Sequence, residues 1–365
     1  MTVYIGLWLY VVIIAYANHK CKLKPNYFMW LAFTGMTILL GLRGHSVGED
    51  TEMYLSVAEA ASRMSWKEIF SGFPTVEWNF ISYGSYGGYS EKAETLYMAY
   101  NKLVMSIFRT PQAVLLITAI ITSLLVMKFI VDNVEQKNDI YLATYIYMCD
   151  AMYMSSFNVM RQVFALAIAA QSVNEIKNND YKKAAIWIAV ASGMHLSALV
   201  FVIVLLVYKL NNKRKNYKWL IVVLLALPAA LPLITIVAGK LSPKYAAYLR
   251  VSYWEGQAKG TLLLWAIIVV AIIIMIRSKK NDNYIWWLVY MATIYIGIEL
   301  IGMRFTVISR VALYFRIGLL LFFPLVRQYF DNKGKLLYTM GMLAILTISF
   351  FSYASSPARV YMLCF

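Results

Sequence analysis

The chain has 365 residues, of which 61% are hydrophobic and only 14% charged, with a formal net charge of +16. A soluble domain is closer to half apolar and a quarter charged, so this composition, with a mean hydropathy of +0.62, excludes an ordinary soluble protein. The positive charge does not indicate nucleic-acid binding, because the basic residues form short clusters between apolar stretches. The sequence predicts an all-α, polytopic integral membrane protein with about 11–13 transmembrane or re-entrant helices, for which a GT-C-like arrangement is one option.

The N-terminal part predicts two spans followed by a long outer loop. The first span ends near Ala17, and the second runs over about residues 27–42. Placing the basic segments in the cytoplasm puts Met1 and the extracytoplasmic loop 43–94 outside. That loop holds eight acidic residues against four basic ones, which supports the orientation. The basic segments are "NHKCKLKPN", "KNNDYKK", "KLNNKRKNYK", "RSKKNDN" and "RQYFDNKGK".

The outer loop predicts one helix and one flexible stretch. An amphipathic helix is expected from Thr51, with Asp50 at its N-cap, and its apolar face is expected to pack on the helix bundle. The later stretch "FISYGSYGGYSEKAE" is rich in glycine, serine and tyrosine and predicts a mobile loop.

Two apolar segments predict helices that do not simply cross the membrane. "TLYMAYNKLVMSIF" is short and contains Asn101 and Lys102, which favours a re-entrant or interfacial helix. "AAIWIAVASGMHLSALVFVIVLLVY" lies between two basic segments and is expected to break and turn back near Gly193 and His195, with its irregular backbone lining a cavity. In the alternative threading each segment is a single span, and Arg161 then faces inside.

The remaining spans predict a single membrane domain over residues 1–365. No long linker or internal repeat divides the chain. These spans are expected near residues 219–238, 261–276, 284–303, 311–326 and 336–351.

The preferred threading collects arginines on the outer side. Arg161 stands at the head of an apolar helix, where a guanidinium near hydrocarbon depth costs about 2.5–3.5 kcal/mol. Planar guanidinium groups bind phosphate oxygens bidentately, so the set predicts a phosphate or diphosphate site. His195, at the helix break, is a candidate general base. The outer arginines are Arg43, Arg161, Arg250, Arg304, Arg310 and Arg316.

Structural alternatives stay open for each of these residues. Arg161 could serve a helix end, His195 could be a core histidine, Asp50 could only cap a helix, and Arg43 could be an interfacial anchor. The chain has no Walker motif, no dinucleotide glycine fingerprint and no HExxH, and its three cysteines are scattered. We therefore predict no metal and no cofactor, and an enzyme here would draw its energy from an activated substrate.

The order of four motifs resembles the EpsG family of Wzy-like polysaccharide polymerases. The motifs are "LRGHSVGEDTEMY", "FNVMRQVFALAI", "GMHLSAL" and "RFTVISRVALYF". The resemblance implies transfer of a growing glycan from undecaprenyl diphosphate onto a lipid-linked repeat unit at the outer face of a bacterial inner membrane. It implies O-antigen, capsule or exopolysaccharide as the product, and donor and acceptor lipids as partners within the bilayer. A chain-length regulator is an open further partner.

The resemblance also implies residue roles. His195 is the first candidate for the base and Asp50 the second, with Arg161 at the diphosphate. The expected diphosphate or substrate ligands are Arg43, Asn158, Gln162, Arg250, Arg304, Arg310 and Tyr314. Two alternative functions remain, a transporter or flippase of lipid-linked oligosaccharide and a membrane acyltransferase that uses His195.

Overall fold

The computed structural model describes residues 1–72, 74–82, 85–211, 258–277, 283–302, 306–355 and 361–364. The chain divides into two compact units. Unit 1 comprises residues 1–199 and 350–365, and unit 2 comprises residues 200–349. The all-α, polytopic class is confirmed, whereas the single domain over residues 1–365 stays a prediction.

Unit 1 is built from eleven described α-helices and one hairpin, with a 3-10 turn at Lys137–Asp139 and most of a second one, Leu196–Val200. The helices are α1 (Thr2–Lys20), α2 (Pro25–Gly41), α3 (Thr51–Arg63), α4 (Trp66–Phe70), α5 (Thr95–Phe108), α6 (Pro111–Asn133), α7 (Ile140–Cys149), α8 (Ala151–Ser155), α9 (Met160–Ala170), α10 (Ser172–Lys177) and α11 (Tyr181–Met194). The hairpin strands are β1 (Thr75–Ser82) and β2 (Ser85–Lys92).

Local sequence explains several of these boundaries. Pro25 and Pro111 stand in the first turns of α2 and α6, where their missing N–H groups have no intrahelical partner to lose. Arg109 ends α5 in the left-handed conformation, with φ of 55°. The amphipathic helix α3 begins at Thr51 as predicted and packs on α5 and α6 through the buried face that includes Val57 and Ala61.

The prediction of a mobile loop after α4 is wrong in one respect. Residues 75–82 and 85–92 pair as an antiparallel hairpin, in which Trp78 lies opposite Tyr89. The β-branched and aromatic residues of "TVEWNFIS" favour a strand, and this preference outweighs the glycine-rich composition that follows.

The helix break predicted near Gly193 and His195 is confirmed. Helix α11 ends at Met194, and His195 is extended, with φ of −157° and ψ of 119°. A 3-10 turn, Leu196–Val200, follows it. A side chain at Gly193 would stand 2.9 Å from Leu96, so this glycine lets the end of α11 approach the start of α5.

The described helices of unit 2 are α12 (Phe201–Asn211), α13 (Ala258–Arg277), α14 (Asn283–Gly302), α15 (Thr306–Arg316) and α16 (Leu319–Arg327), with most of α17 (Asn332–Ala354). Helices α14 and α15 pack closely, since a Cβ at Gly302 would lie 2.7 Å from Ser309. The predicted span 219–238 lies outside the described residues.

Four helices in the described ranges are long and apolar enough to cross a membrane. A fifth candidate is the pair formed by Ile308–Arg316 and Leu319–Arg327, which bends by 47° between them. The short helix α5 is not among these candidates, and its re-entrant or interfacial position stays a prediction. The four helices are Thr2–Lys20, Pro111–Asn133, Asn283–Gly302 and Asn332–Ala354.

Candidate active site

A buried carboxylate in unit 1 joins two of the residues that the sequence singled out. Glu94 Oε2 lies 3.2 Å from Arg161 Nη1, and Glu94 Oε1 lies 2.9 Å from His195 Nδ1. The backbone N–H of Leu196 also donates to Oε1, at 2.8 Å. We call Glu94, Arg161 and His195 the Glu94 cluster.

Three elements bring the cluster together. Glu94 immediately precedes α5, Arg161 is the second residue of α9, and His195 is the extended residue after α11. Helices α5 and α9 both pack against α11. Because α11 stops at Met194, the N–H of Leu196 has no helical acceptor, and the Glu94 carboxylate supplies one.

Arg161 lies in an environment that disfavours an unpaired positive charge. It stands at the N-terminus of α9, where the helix dipole repels positive charge, and α9 is buried along its length. Its Cζ lies 5.4 Å from the ring centroid of Tyr97, a cation–π distance. The carboxylate and the ring therefore stabilise a guanidinium that is 7% exposed.

The ionisation of Glu94 follows from its partners. Burial acts to raise its pKa, but the hydrogen bond with His195 and the charge of Arg161 outweigh burial, so the pKa of Glu94 is lowered. The carboxylate is therefore negatively charged at neutral pH. The side chains of Glu94 and Arg161 are each 9% exposed, whereas that of His195 is 26% exposed. The imidazole is thus the most accessible member of the cluster.

Arg43 is fully buried and contacts protein atoms. Its guanidinium donates to the carbonyl of Leu40 at 2.6 Å and to Thr51 Oγ1 at 3.2 Å, and it lies 5.7 Å from the Phe157 ring centroid. Burial lowers the pKa of Arg43 to about 10, so it stays protonated at neutral pH. Arg43 thereby ties the end of α2 to the start of α3, and its role as a phosphate ligand stays a prediction.

The first two sequence motifs pack directly on each other. The hydroxyl of Tyr54 donates to the carbonyl of Asn158 at 3.0 Å, and the N–H of Glu49 donates to Asn158 Oδ1 at 3.4 Å. Gly48 has φ of +90°, and a Cβ there would stand 2.1 Å from the Phe157 carbonyl oxygen. The glycine of "VGED" is therefore required by close contact with the turn before α9.

Two further predicted residues of unit 1 lie in the same motifs. Asp50 is half-buried at the N-cap position of α3, but its side chain makes no capping hydrogen bond. Its charge contributes to the raised pKa of Tyr54, of which burial is the main cause. Gln162 is buried in α9 beside Arg161. Neither arrangement tests a catalytic or binding role.

Unit 2 contains another buried arginine. Arg316 Nη1 lies 3.8 Å from Glu299 Oε1, and its Cζ lies 5.3 Å from the Tyr295 ring centroid. Arg310 is exposed on α15, and Tyr314 is buried with its ring edge-on to Phe201. Arg250 and Arg304 lie outside the described residues.

Sequence reasoning missed Glu94, which entered only as one of the eight acids of the outer loop. The signal that could have identified it is its position directly before the short helix α5, which contains the polar residues Asn101 and Lys102. An acid at that position belongs to the helix assembly and not to the solvated loop.

Comparison with known proteins places the chain in a family context. The model of the EpsG family matches residues 26–364, which is nearly the whole chain. No curated protein and no solved structure matches it. The matched region includes every member of the Glu94 cluster.

Proposed function

Since this chain belongs to the EpsG family, a family of Wzy-like polysaccharide polymerases, we propose that it transfers a growing glycan from undecaprenyl diphosphate onto a lipid-linked repeat unit. The reaction takes place at the outer face of a bacterial inner membrane, with the active site facing the periplasm or exterior. Donor and acceptor are both lipid-linked oligosaccharides. The product is a cell-surface polysaccharide.

The Glu94 cluster is the observation that carries this proposal. It combines a buried guanidinium with a partly exposed imidazole, and both contact the same carboxylate. A leaving diphosphate needs preorganised positive charge at low local dielectric, and an attacking hydroxyl needs a base. Arg161 supplies the first and His195 the second, with Asp50 as the alternative base.

The proposed step balances as a single displacement. An acceptor hydroxyl oxygen forms a bond to the anomeric carbon of the donor sugar, and the bond from that carbon to the diphosphate oxygen breaks. The electron pair leaves with undecaprenyl diphosphate, and the hydroxyl proton passes to the base. Binding both lipids side by side in the bilayer supplies proximity.

The other predicted ligands support substrate binding in this proposal. Asn158 and Gln162 lie close to Arg161 in the sequence, and Asn158 accepts hydrogen bonds from the Tyr54 hydroxyl and the N–H of Glu49. The remaining ligands would contact the diphosphate or the sugars, and these are Arg43, Arg250, Arg304, Arg310 and Tyr314.

The direct test uses the purified protein in nanodiscs with a synthetic undecaprenyl-diphosphate repeat unit, and without nucleotide sugar or metal. A gel ladder spaced by one repeat unit is the expected result. Arg161→Ala should reduce its rate of formation by about 10²–10³-fold, as for loss of one transition-state donor. Translocation of intact lipid across liposomes without a ladder would instead favour a flippase, and an Arg161→Ala variant with wild-type chain length would exclude Arg161 from the diphosphate site.

A further inference from the structure

The hydrogen bonds of Glu94 determine which nitrogen of His195 can accept a proton. Leu196 N–H and His195 Nδ1 both lie within 2.9 Å of Oε1. An ionised carboxylate can only accept hydrogen bonds, so a proton must stand on Nδ1 at this distance. The neutral imidazole consequently carries its lone pair on Nε2.

Glu94 is held in this orientation from both sides. Arg161 Nη1 lies 3.2 Å from Oε2, while Oε1 accepts from the chain after α11. The titratable and charged groups that face the carboxylate are His195 from the α11 break, Arg161 from α9 and Tyr97 from α5. Rotation of the carboxylate would break its contacts with Arg161 of α9 and with the segment that follows α11, so the carboxylate preorganises the histidine.

Burial distinguishes the roles of the two residues. The Glu94 side chain is 9% exposed and has both oxygens in contact with protein groups, whereas the His195 ring is 26% exposed. In the described part of the chain, hydrogen bonding to this ring involves Nδ1 only. Glu94 therefore acts through His195 and is a positioning residue.

We propose that Glu94 holds His195 as the Nδ1–H tautomer, so that Nε2 is the atom that removes the proton from the acceptor hydroxyl. This inference rests on the proposed function for the reaction itself. When Nε2 takes the proton, the glycosidic C–O bond forms and the electron pair of the broken bond leaves with the diphosphate. The imidazolium is stabilised by the Glu94 charge, which also separates it from the positive charge of Arg161.

The tautomer can be measured without any enzymatic activity. The chain contains only three histidines, so ¹⁵N-histidine labelling of the full chain in nanodiscs gives few ring signals, and His195→Gln assigns the one of interest. In the neutral imidazole of His195, Nδ1 is expected to carry the proton and Nε2 to be unprotonated. A proton on Nε2, with Nδ1 bare, would overturn the proposal.

Kinetics of ladder formation test the positioning role. Glu94→Gln should lower kcat by about 10²-fold, within the range that general-base catalysis contributes, and Glu94→Asp should recover part of the loss. Glu59→Gln, the same change on an exposed face of α3, should match the wild type.

The outcomes separate this inference from the function on which it rests. A wild-type ladder combined with an unchanged kcat in Glu94→Gln would overturn the role of Glu94. If the wild type shows the Nδ1–H tautomer but forms no ladder, the polymerase proposal fails while the tautomer assignment stands.

Discussion

The buried charge of Arg161 destabilises the folded state unless an ionised Glu94 lies beside it. Removing one partner of a buried ion pair typically costs about 3–5 kcal/mol, because the other charge is left buried and uncompensated. Arg161→Gln and Glu94→Gln should therefore each lower Tm more than the double variant does. Thermal unfolding in detergent, arranged as a double-mutant cycle, measures this coupling.

An exposed pair in the same unit provides the control for that cycle. Glu59 and Arg63 lie one turn apart on α3, with 53% and 79% of their side chains exposed. Because surface pairs of this kind contribute little, their coupling should be close to zero. A coupling for Glu94 and Arg161 no larger than that of the exposed pair would contradict the energetic role of the cluster.

The lowered pKa of Glu94 predicts a stability difference with a defined pH window. The ordinary value is 4.5, and the unfolded chain binds the proton at higher pH than the folded one, so this contribution is present above the ordinary value and lost as pH falls through the folded value. The Tm gap between wild type and Glu94→Gln should stay constant from pH 7 to about 5 and shrink below about 4. Glu59→Gln is again the control, and a gap that closes near pH 6 would contradict the assignment.

Gly48 and Gly72 allow backbone strain to be separated from steric contact. Both have positive φ, +90° and +106°, but only at Gly48 would a Cβ collide with another backbone atom, the Phe157 carbonyl oxygen at 2.1 Å. Gly72→Ala should cost about 1–3 kcal/mol of strain at most. Gly48→Ala should cost clearly more and should reduce polymer formation, because it moves the turn that precedes Arg161. Equal Tm losses for the two variants would argue against the close contact.

At the scale of elements, the sequence predicts those helix boundaries that depend on local sequence patterns. The start of α3 at Thr51 and the break at His195 follow from helix periodicity, polar interruptions and basic flanks, and both are confirmed. The hairpin differs from the predicted loop because the strand preference of "TVEWNFIS" outweighs the glycine content of the residues that follow. Glu94 was missed for a different reason, since its partners lie 67 and 101 residues away in sequence and only tertiary packing brings them together.

The C-terminal segment 361–364 lies against the loop that carries Arg43. Gly44 N–H donates to the carbonyl of Met362 at 2.7 Å, and Cys364 N–H donates to the carbonyl of Leu42 at 3.2 Å. Truncation after residue 360 should therefore expose the Arg43 loop, which limited proteolysis would detect as faster cleavage near residue 44. Cys364→Ser keeps the backbone bonds and should leave cleavage unchanged. Equal cleavage of the truncated and full chains would show that the segment does not brace this loop.

At the scale of the whole molecule, the basic segments predict the orientation on which the proposed chemistry depends. The Glu94 cluster can meet outer-leaflet lipid diphosphates only if the loop 43–94 lies outside. Cys21 is exposed in the first basic segment, Cys149 is buried and Cys364 is partly exposed. Cys21 can therefore be labelled to test whether the basic segments lie on the cytoplasmic side. In a Cys364→Ser background, Ser62→Cys adds a reporter on the exposed face of α3.

A membrane-impermeant maleimide should label Ser62→Cys in intact cells and reach Cys21 only after permeabilisation. The physical basis is the cost of moving clustered lysines across the bilayer, from which we expect segments such as "NHKCKLKPN" to stay in the cytoplasm. Labelling of Cys21 alone in intact cells would indicate the opposite membrane orientation, with Arg161 and His195 toward the cytoplasm. In that orientation the site could not contact a lipid-linked donor in the outer leaflet, and the polymerase proposal would then need a cytoplasmic substrate.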